Sequence, residues 1–220
     1  MIRIIGISDT HGSHWDVKVP DGDWLIHCGD FSSHGRLPDT MDFLRWFNSQ
    51  PHKRKIFCAG NHDWLLEQDP NFYRIIKMEF PNLTYLQDEA CEVEGLKVYG
   101  SPVQPRFYNW AFNRDRGADI KRYWDKIPTD TDVLITHGPP YGICDEAYRV
   151  GFNTTEHVGC KDLLDAIKRV KPKIWMGGHI HYSYGIGSVT HEDGSKTMCY
   201  NCSILDENYA VANKPWIINI

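Results

Sequence analysis

The chain has 220 residues, 41% hydrophobic and 13% aromatic, with a formal net charge of -5. This is ordinary for a soluble globular protein and fits one domain over residues 1–220. The mild acidity and lack of a basic block argue against sequence-independent nucleic-acid binding, and no stretch approaches the roughly 18 apolar residues of a membrane span.

Met1-Ile2-Arg3-Ile4-Ile5 enters a strand at once, without the charged and apolar regions of a signal peptide, so the expected compartment is the cytoplasm. The seven cysteines are odd in number and several lie within apolar runs, which fits reduced thiols. Cys199 and Cys202 form a lone C-x-x-C whose side chains should face opposite ways in a strand.

Taken in order, the predicted strands are Ile2 to Ile7, Trp24 to Cys28, Lys55 to Ala59, Leu96 to Tyr99, Val133 to Thr136 and Ile174 to Met176. Several are continuous apolar runs, the mark of strands buried on both faces. Between them, Pro38 suits a first helical turn, followed by Met41, Leu44 and Phe47 at helical spacing. Asn71 to Glu79 carries Phe72, Ile75 and Ile76, and Asp119 to Lys126 is a further candidate. Cys160 to Lys171 presents Leu163, Leu164, Ile167 and Val170, with Pro172 beyond. The end from Tyr182 reads as β structure, with a turn at Asp193-Gly194. The basic run His52-Lys53-Arg54-Lys55 reads as a solvated loop. His27 reads as a core residue, and His14, His52, His157 and His191 as surface or loop residues. The alternation predicts an α/β fold, with layered, β-sandwich-like sheets flanked by helices.

Five motifs follow apolar runs: Asp9-Thr10-His11, Gly29-Asp30, Gly60-Asn61-His62-Asp63, His137-Gly138 and Gly178-His179-Ile180-His181. In open α/β sheets, ligands gather beyond the carboxyl ends of strands, where all five fall. Asp9 and His11 share a face if their segment stays extended, and can hold one ion. Asp30 can bridge two cations, because its two oxygens offer several lone pairs. Asn61 adds a neutral amide oxygen. His137 and His179 suit the second ion, and His181 can return to the first. The mixed O and N donors disfavour a structural zinc site and suit Mn, Fe, Zn or Co.

The ordered motifs resemble the calcineurin-like metallophosphoesterases, whose signature is D-x-H, GD, GNH(D/E), an isolated H and GH-x-H. Tyr85-Leu86-Gln87-Asp88, Tyr99-Gly100-Ser101-Pro102, Trp110-Ala111-Phe112-Asn113, Thr136-His137-Gly138-Pro139-Pro140 and Val158-Gly159-Cys160 carry a narrower resemblance. It is to the metallophosphoesterase-domain (brain protein) and class III cyclic nucleotide phosphodiesterase group. Some of that group replace a histidine of GH-x-H, whereas this chain keeps both His179 and His181. After Gly29-Asp30 it reads Phe-Ser-Ser-His-Gly. It therefore lacks the arginine of the Ser/Thr phosphatase D-x-x-D-R-G motif, which counts against phosphoprotein substrates.

The resemblance implies Asp9, His11, Asp30 and His181 on a first metal, and Asp30, Asn61, His137 and His179 on a second. It places His62 beside the scissile phosphate, with Asn61 also close to the substrate. The expected reaction is phosphate-ester hydrolysis by a metal-bridging hydroxide, with Asp30 and His62 as catalytic residues. Asp63 could orient His62 or cap the following helix, and His34 is a candidate substrate contact. The loop Arg106-Phe107-Tyr108-Asn109-Trp110 is either a pocket wall or core packing. A small phosphodiester, with cyclic nucleotides among the candidates, is the leading substrate. The alternatives are a phosphomonoesterase or nucleotidase, a DNA nuclease of the double-strand-break-repair type, and an inactive metal-bound scaffold. Nucleic acid is a disfavoured partner, no membrane partner is expected, and a homodimer is left open.

Overall fold

A computed structural model describes residues 1–149 and 151–220. The chain runs through β1 (Arg3–Ile7), β2 (Trp24–His27), α1 (Leu37–Ser49), β3 (Arg54–Phe57), α2 (Trp64–Gln68), α3 (Phe72–Glu79) and β4 (Leu83–Tyr85). A hairpin of β5 (Glu89–Val93) and β6 (Leu96–Ser101) follows, then the short pair β7 (Gln104–Pro105) and β8 (Asn113–Arg114). Next come α4 (Ala118–Trp124), β9 (Val133–Thr136) and a second hairpin of β10 (Glu146–Arg149) and β11 (Thr154–His157). The chain ends with α5 (Lys161–Val170), β12 (Ile174–Gly177), β13 (Gly185–Thr190), β14 (Lys196–Asn201) and β15 (Trp216–Asn219).

Two mixed sheets form the centre, ordered β15-β1-β2-β3-β4 and β13-β14-β12-β9-β6-β5. Strands β1 to β4 are mutually parallel, as are β6, β9, β12 and β14. Each parallel set therefore has all its carboxyl ends on one edge. Alternation along the strands divides the core into three clusters. Ile4, Trp24, Ile26 and Ile56 meet Val98, Val133, Ile135 and Met176 between the sheets. Ile5, Ile7, Leu25 and Phe57 pack outward on Phe43, Leu44 and Phe47 of α1. Leu134, Trp175 and Cys199 pack on α4 and α5. The result is helix, sheet, sheet, helix, the layered arrangement expected. Each fully buried Phe or Leu contributes roughly 1.5–3 kcal/mol to this assembly.

The helices follow the sequence with adjustments. α1 has Pro38 in its first turn, and its buried face is Thr40, Phe43, Leu44, Trp46 and Phe47. Met41 is only half-buried, so the apolar stripe is broader than the three-residue spacing suggested. In α3, Phe72 and Ile76 are buried while Ile75 is exposed. α5 ends on Lys171 in the left-handed region, just before Pro172. α2, β4, β5 and the β10–β11 hairpin lie outside the predicted elements. They are short or largely exposed, so their hydrophobic signal is weak. Cys199 and Cys202 do face opposite clusters, as free thiols.

Three histidines expected at the surface are buried instead. His14 bonds Asp42 at 2.9 Å and packs on Trp46. His52 Nε2 lies 3.0 Å from the Pro20 carbonyl. His191 lies 2.9 Å from Thr197 Oγ1. The basic run is only half solvated, because Lys55 is buried and donates to the Gln50 and His52 carbonyls. His157 is exposed, with Nδ1 2.7 Å from Asp145.

His27 is fully buried, as expected. Its Nδ1 accepts from Gly29 N at 3.2 Å, so a neutral ring carries its proton on Nε2, 3.0 Å from Thr10 Oγ1. Burial lowers its pKa to about 3. The unfolded value is about 6.5. As pH falls through this window, the unfolded chain takes up a proton that the folded chain refuses. Stability from this group is complete above pH ~6.5 and falls below it by up to about 1.4 kcal/mol per pH unit. Urea unfolding of the metal-free protein from pH 7 to pH 4 should show a shallower stability slope for His27→Leu than for wild type. Parallel slopes would rule the contribution out.

Candidate metal centre

All five motifs sit just beyond strand ends, on β1, β2, β3, β9 and β12. The backbone there is not extended. Asp9, His11, Asp30 and His179 have φ of 53°, 41°, 53° and 69°. Asp9 and His11 therefore converge through a left-handed turn rather than by strand alternation, which corrects the reason expected for their pairing. Left-handed non-glycine residues are each strained by roughly 1 kcal/mol, and such strain gathers at functional sites. Two glycines make the approach feasible. At Gly29 (φ 102°) a Cβ would lie 2.6 Å from the Ala59 carbonyl and 2.7 Å from His137 Nδ1. At Gly60 a Cβ would collide with the Asp30 carboxylate and reach His137 Cε1 at 2.7 Å.

The side chains gather into three overlapping groups, each with ligand atoms within 4.8 Å of one another: Asp9, His11 and His181; His11, Asp30 and His62; and Asp30, His137 and His179. Asp30 Oδ2 is the hub, 3.7 Å from His11, 3.3 Å from His137 and 4.0 Å from His62. Asn61 Oδ1 lies 2.9 Å from His137 Nε2. His181 Nε2 lies 3.6 Å from Asp9. His34 is exposed and is not among the described residues lining the cavity over these groups.

A second layer of contacts aims these groups. His62, His137 and His181 each place Nδ1 against a backbone carbonyl, of Ser33, Cys28 and Asp206, at 2.8, 3.0 and 2.9 Å. Each Nε2 is thereby directed inward, the usual way that a ligand imidazole has its tautomer fixed. Asp9 accepts from Ser203 Oγ at 2.8 Å and from His179 N at 3.0 Å. Asp30 Oδ1 accepts from His62 N at 2.7 Å.

Asp63 neither orients the His62 ring nor makes a side-chain cap to α2. Its Oδ2 accepts from Gly60 N and Asp30 N at 2.8 and 2.9 Å. Its Oδ1 accepts from Ser32 N and Ser32 Oγ at 3.0 and 2.7 Å. It ties the loop after β3 to the loop after β2, and so carries Asp30. Burial and the Asp30 charge push its carboxyl up to about 7, against those donors.

Burial opposes charge on every group here, so the outcome depends on neighbours. Asp30 and Asp9 still lie below the usual carboxylate range, because of the imidazoles around them. Burial disfavours the His137 and His181 cations, yet the Asp30 carboxylate beside the first and the Asp9 carboxylate beside the second raise both to about 9. Burial takes His11 down to about 4 and His179 to about 3. Both nitrogens of buried His11 lack a hydrogen-bond partner, an unfavourable state unless a cation binds there. The O and N donor clusters, the unpartnered imidazole and the inward-facing Nε2 atoms fit a dinuclear metal site.

Above the clusters lies a cavity of about 250 Å³, walled also by Phe107, Tyr108, Trp110 and Tyr209. Phe107 and Tyr108 are exposed, so their loop forms a wall rather than core. Trp110 stacks on His62 at 4.1 Å and 30°. A larger cavity of about 470 Å³ adjoins the first and shares Phe107, His179, His181 and Tyr209 with it. Ser203, Asp206 and Tyr209 escaped the sequence reading. They lie near the carboxyl end of β14, outside any recognised motif, and only their place at a strand end could have signalled them.

Residues 2–183 match the calcineurin-like phosphoesterase family model. Metallophosphoesterase domain-containing protein 1 of Homo sapiens is 36% identical over 99% of this chain and 71% of its own length. A UPF0046 protein of Caenorhabditis elegans is 35% identical over 100% of this chain and 81% of its own. The crystal structure of TT1561 from Thermus thermophilus shares the fold, with a TM-score of 0.63, 14% identity and coverage of 99% and 98% of the two chains.

Proposed function

The chain belongs to the calcineurin-like phosphoesterase family, and from that premise we propose that it is a metal-dependent phosphodiesterase acting on small diesters. Cyclic nucleotides are candidate substrates. Asp9, His11, Asp30 and His181 would hold one ion, and Asp30, Asn61, His137 and His179 the other. When bound, such ions supply an acidified water and positive charge against the phosphoryl oxygens. Which of Mn, Fe, Zn or Co is used belongs to experiment.

His62 has the geometry of the proton donor. Its Nδ1–H is committed to the Ser33 carbonyl, so Nε2 faces the cavity. To protonate a departing ester oxygen, the ring must be cationic at Nε2. Trp110, stacked flat against the ring, holds it in that orientation. Asn61 is fixed by its carbonyl, which accepts from Ala111 N at 3.1 Å, leaving its amide beside His137 and the substrate.

The observation favouring a diester is the second cavity, which shares His179 and His181 with the first. A phosphodiester carries two organic arms and a monoester one. With Mn²⁺ added, bis(p-nitrophenyl) phosphate should turn over with kcat/KM roughly 10-fold or more above p-nitrophenyl phosphate. Chelation should stop both reactions. Preference for the monoester would replace this reading with a phosphomonoesterase.

A further inference from the structure

Tyr209 sits in the turn after β14 at φ 59°, a conformation that disfavours a bulky side chain. The turn is closed by its own hydrogen bonds. Asp206 Oδ1 accepts from Asn208 N and Ala210 N at 2.8 and 3.0 Å, and the Asp206 carbonyl accepts from Tyr209 N at 3.0 Å. The same carbonyl receives His181 Nδ1, so the turn is registered on the metal-ligating histidine.

Tyr209 gains little from the core, being 55% exposed. Its ring instead lies 5.0 Å from that of His11 and 5.3 Å from that of His181. It lines both cavities. Strain at an exposed aromatic, without burial to offset it, is the pattern of a residue held for a ligand. We propose that Tyr209 is a specificity-determining residue. Its ring is the shared wall against which the second organic arm of a phosphodiester packs as it enters the larger cavity. A monoester has no second arm, so it meets the ring only within the first cavity. This rests on the phosphodiesterase reading above.

The test compares Tyr209→Phe, Tyr209→Ala and Tyr209→Gly with wild type on bis(p-nitrophenyl) phosphate and p-nitrophenyl phosphate, with metal content and Tm measured alongside. Tyr209→Phe keeps the ring and should stay within about 3-fold of wild type on both substrates. Tyr209→Ala and Tyr209→Gly should raise KM for the diester about 10-fold, with a smaller rise, about 3-fold or less, for the monoester and with bound metal retained. Tyr209→Gly should keep or raise Tm, since glycine is at ease at this φ. Equal losses on both substrates, or an unchanged diester KM in the alanine and glycine variants, would overturn the assignment. So would a fall in Tm for Tyr209→Gly together with lost metal, the sign of a structural role. A wild-type enzyme that prefers the monoester defeats the phosphodiesterase reading itself, and with it this assignment; variant failures on a diester-preferring wild type defeat the assignment alone.

Discussion

Asp30→Ala is expected to abolish turnover, by at least roughly 10³-fold, and to lower bound metal below two ions per chain. Its carboxylate approaches His11, His62 and His137 together, as no other carboxylate among the described residues does. Removing it leaves no carboxylate to join the two clusters, and strips His62 N of its acceptor. It also removes the negative charge that holds the buried His137 ring cationic, so the apo cavity becomes less polar as well as less able to bind metal. Elemental analysis of the purified variant beside steady-state kinetics reads both effects. Full metal content with wild-type activity would remove Asp30 from the centre.

Asp63→Asn is expected to behave almost as badly, without touching substrate. Each oxygen of Asp63 faces two donors. An amide group in place of either oxygen would turn its own N–H groups toward them. At least one buried backbone donor then loses its acceptor, Ser32 N on one side or Gly60 N and Asp30 N on the other, at roughly 1–3 kcal/mol each. A loss near 3 kcal/mol corresponds to a Tm lower by roughly 6–12 °C in a chain of this size. Because both faces of the carboxylate hold the loop that carries Asp30, through Asp30 N or Ser32 N, turnover should fall even at temperatures where the variant is folded. Thermal unfolding followed by assays well below the midpoint separates the two effects. A variant as stable and active as wild type would mean that the ties between the two loops are dispensable.

Asp63 also shows where sequence reading stopped. The spacing of Asn61, His62 and Asp63 signals a site, but spacing is blind to partners far along the chain. The actual partners, Gly60, Asp30 and Ser32, include two from the loop after β2. The parallel strands β1, β2, β3, β6, β9 and β12 were legible because burial leaves apolar runs, as in Ile4, Ile5 and Ile7, whereas the short parallel strand β4 was not. The residues that gather at the strand ends were legible through chemical type, since carboxylates and imidazoles behind glycine rarely recur by chance. Buried His14 and His191 were misjudged, because a histidine satisfied by one hydrogen bond looks in sequence like any loop histidine. Tyr209 was invisible for a related reason: nothing in Glu207-Asn208-Tyr209-Ala210 announces a positive φ or a neighbouring His181.

The clustered side chains run from Asp9 to His181, and the Asp206 carbonyl completes the hold on His181. The first strand, β1, pairs along one edge with the last, β15. No short contiguous fragment can therefore assemble the cluster, and a chain emerging from the ribosome carries Asp9 and His11 without their His181 neighbour until that residue is made. Contacts of such long sequence separation slow folding and leave intermediates exposed. Truncation ahead of β15 should leave β1 with an unpaired edge directly before Asp9, and so loosen one end of the cluster although no clustered residue is removed.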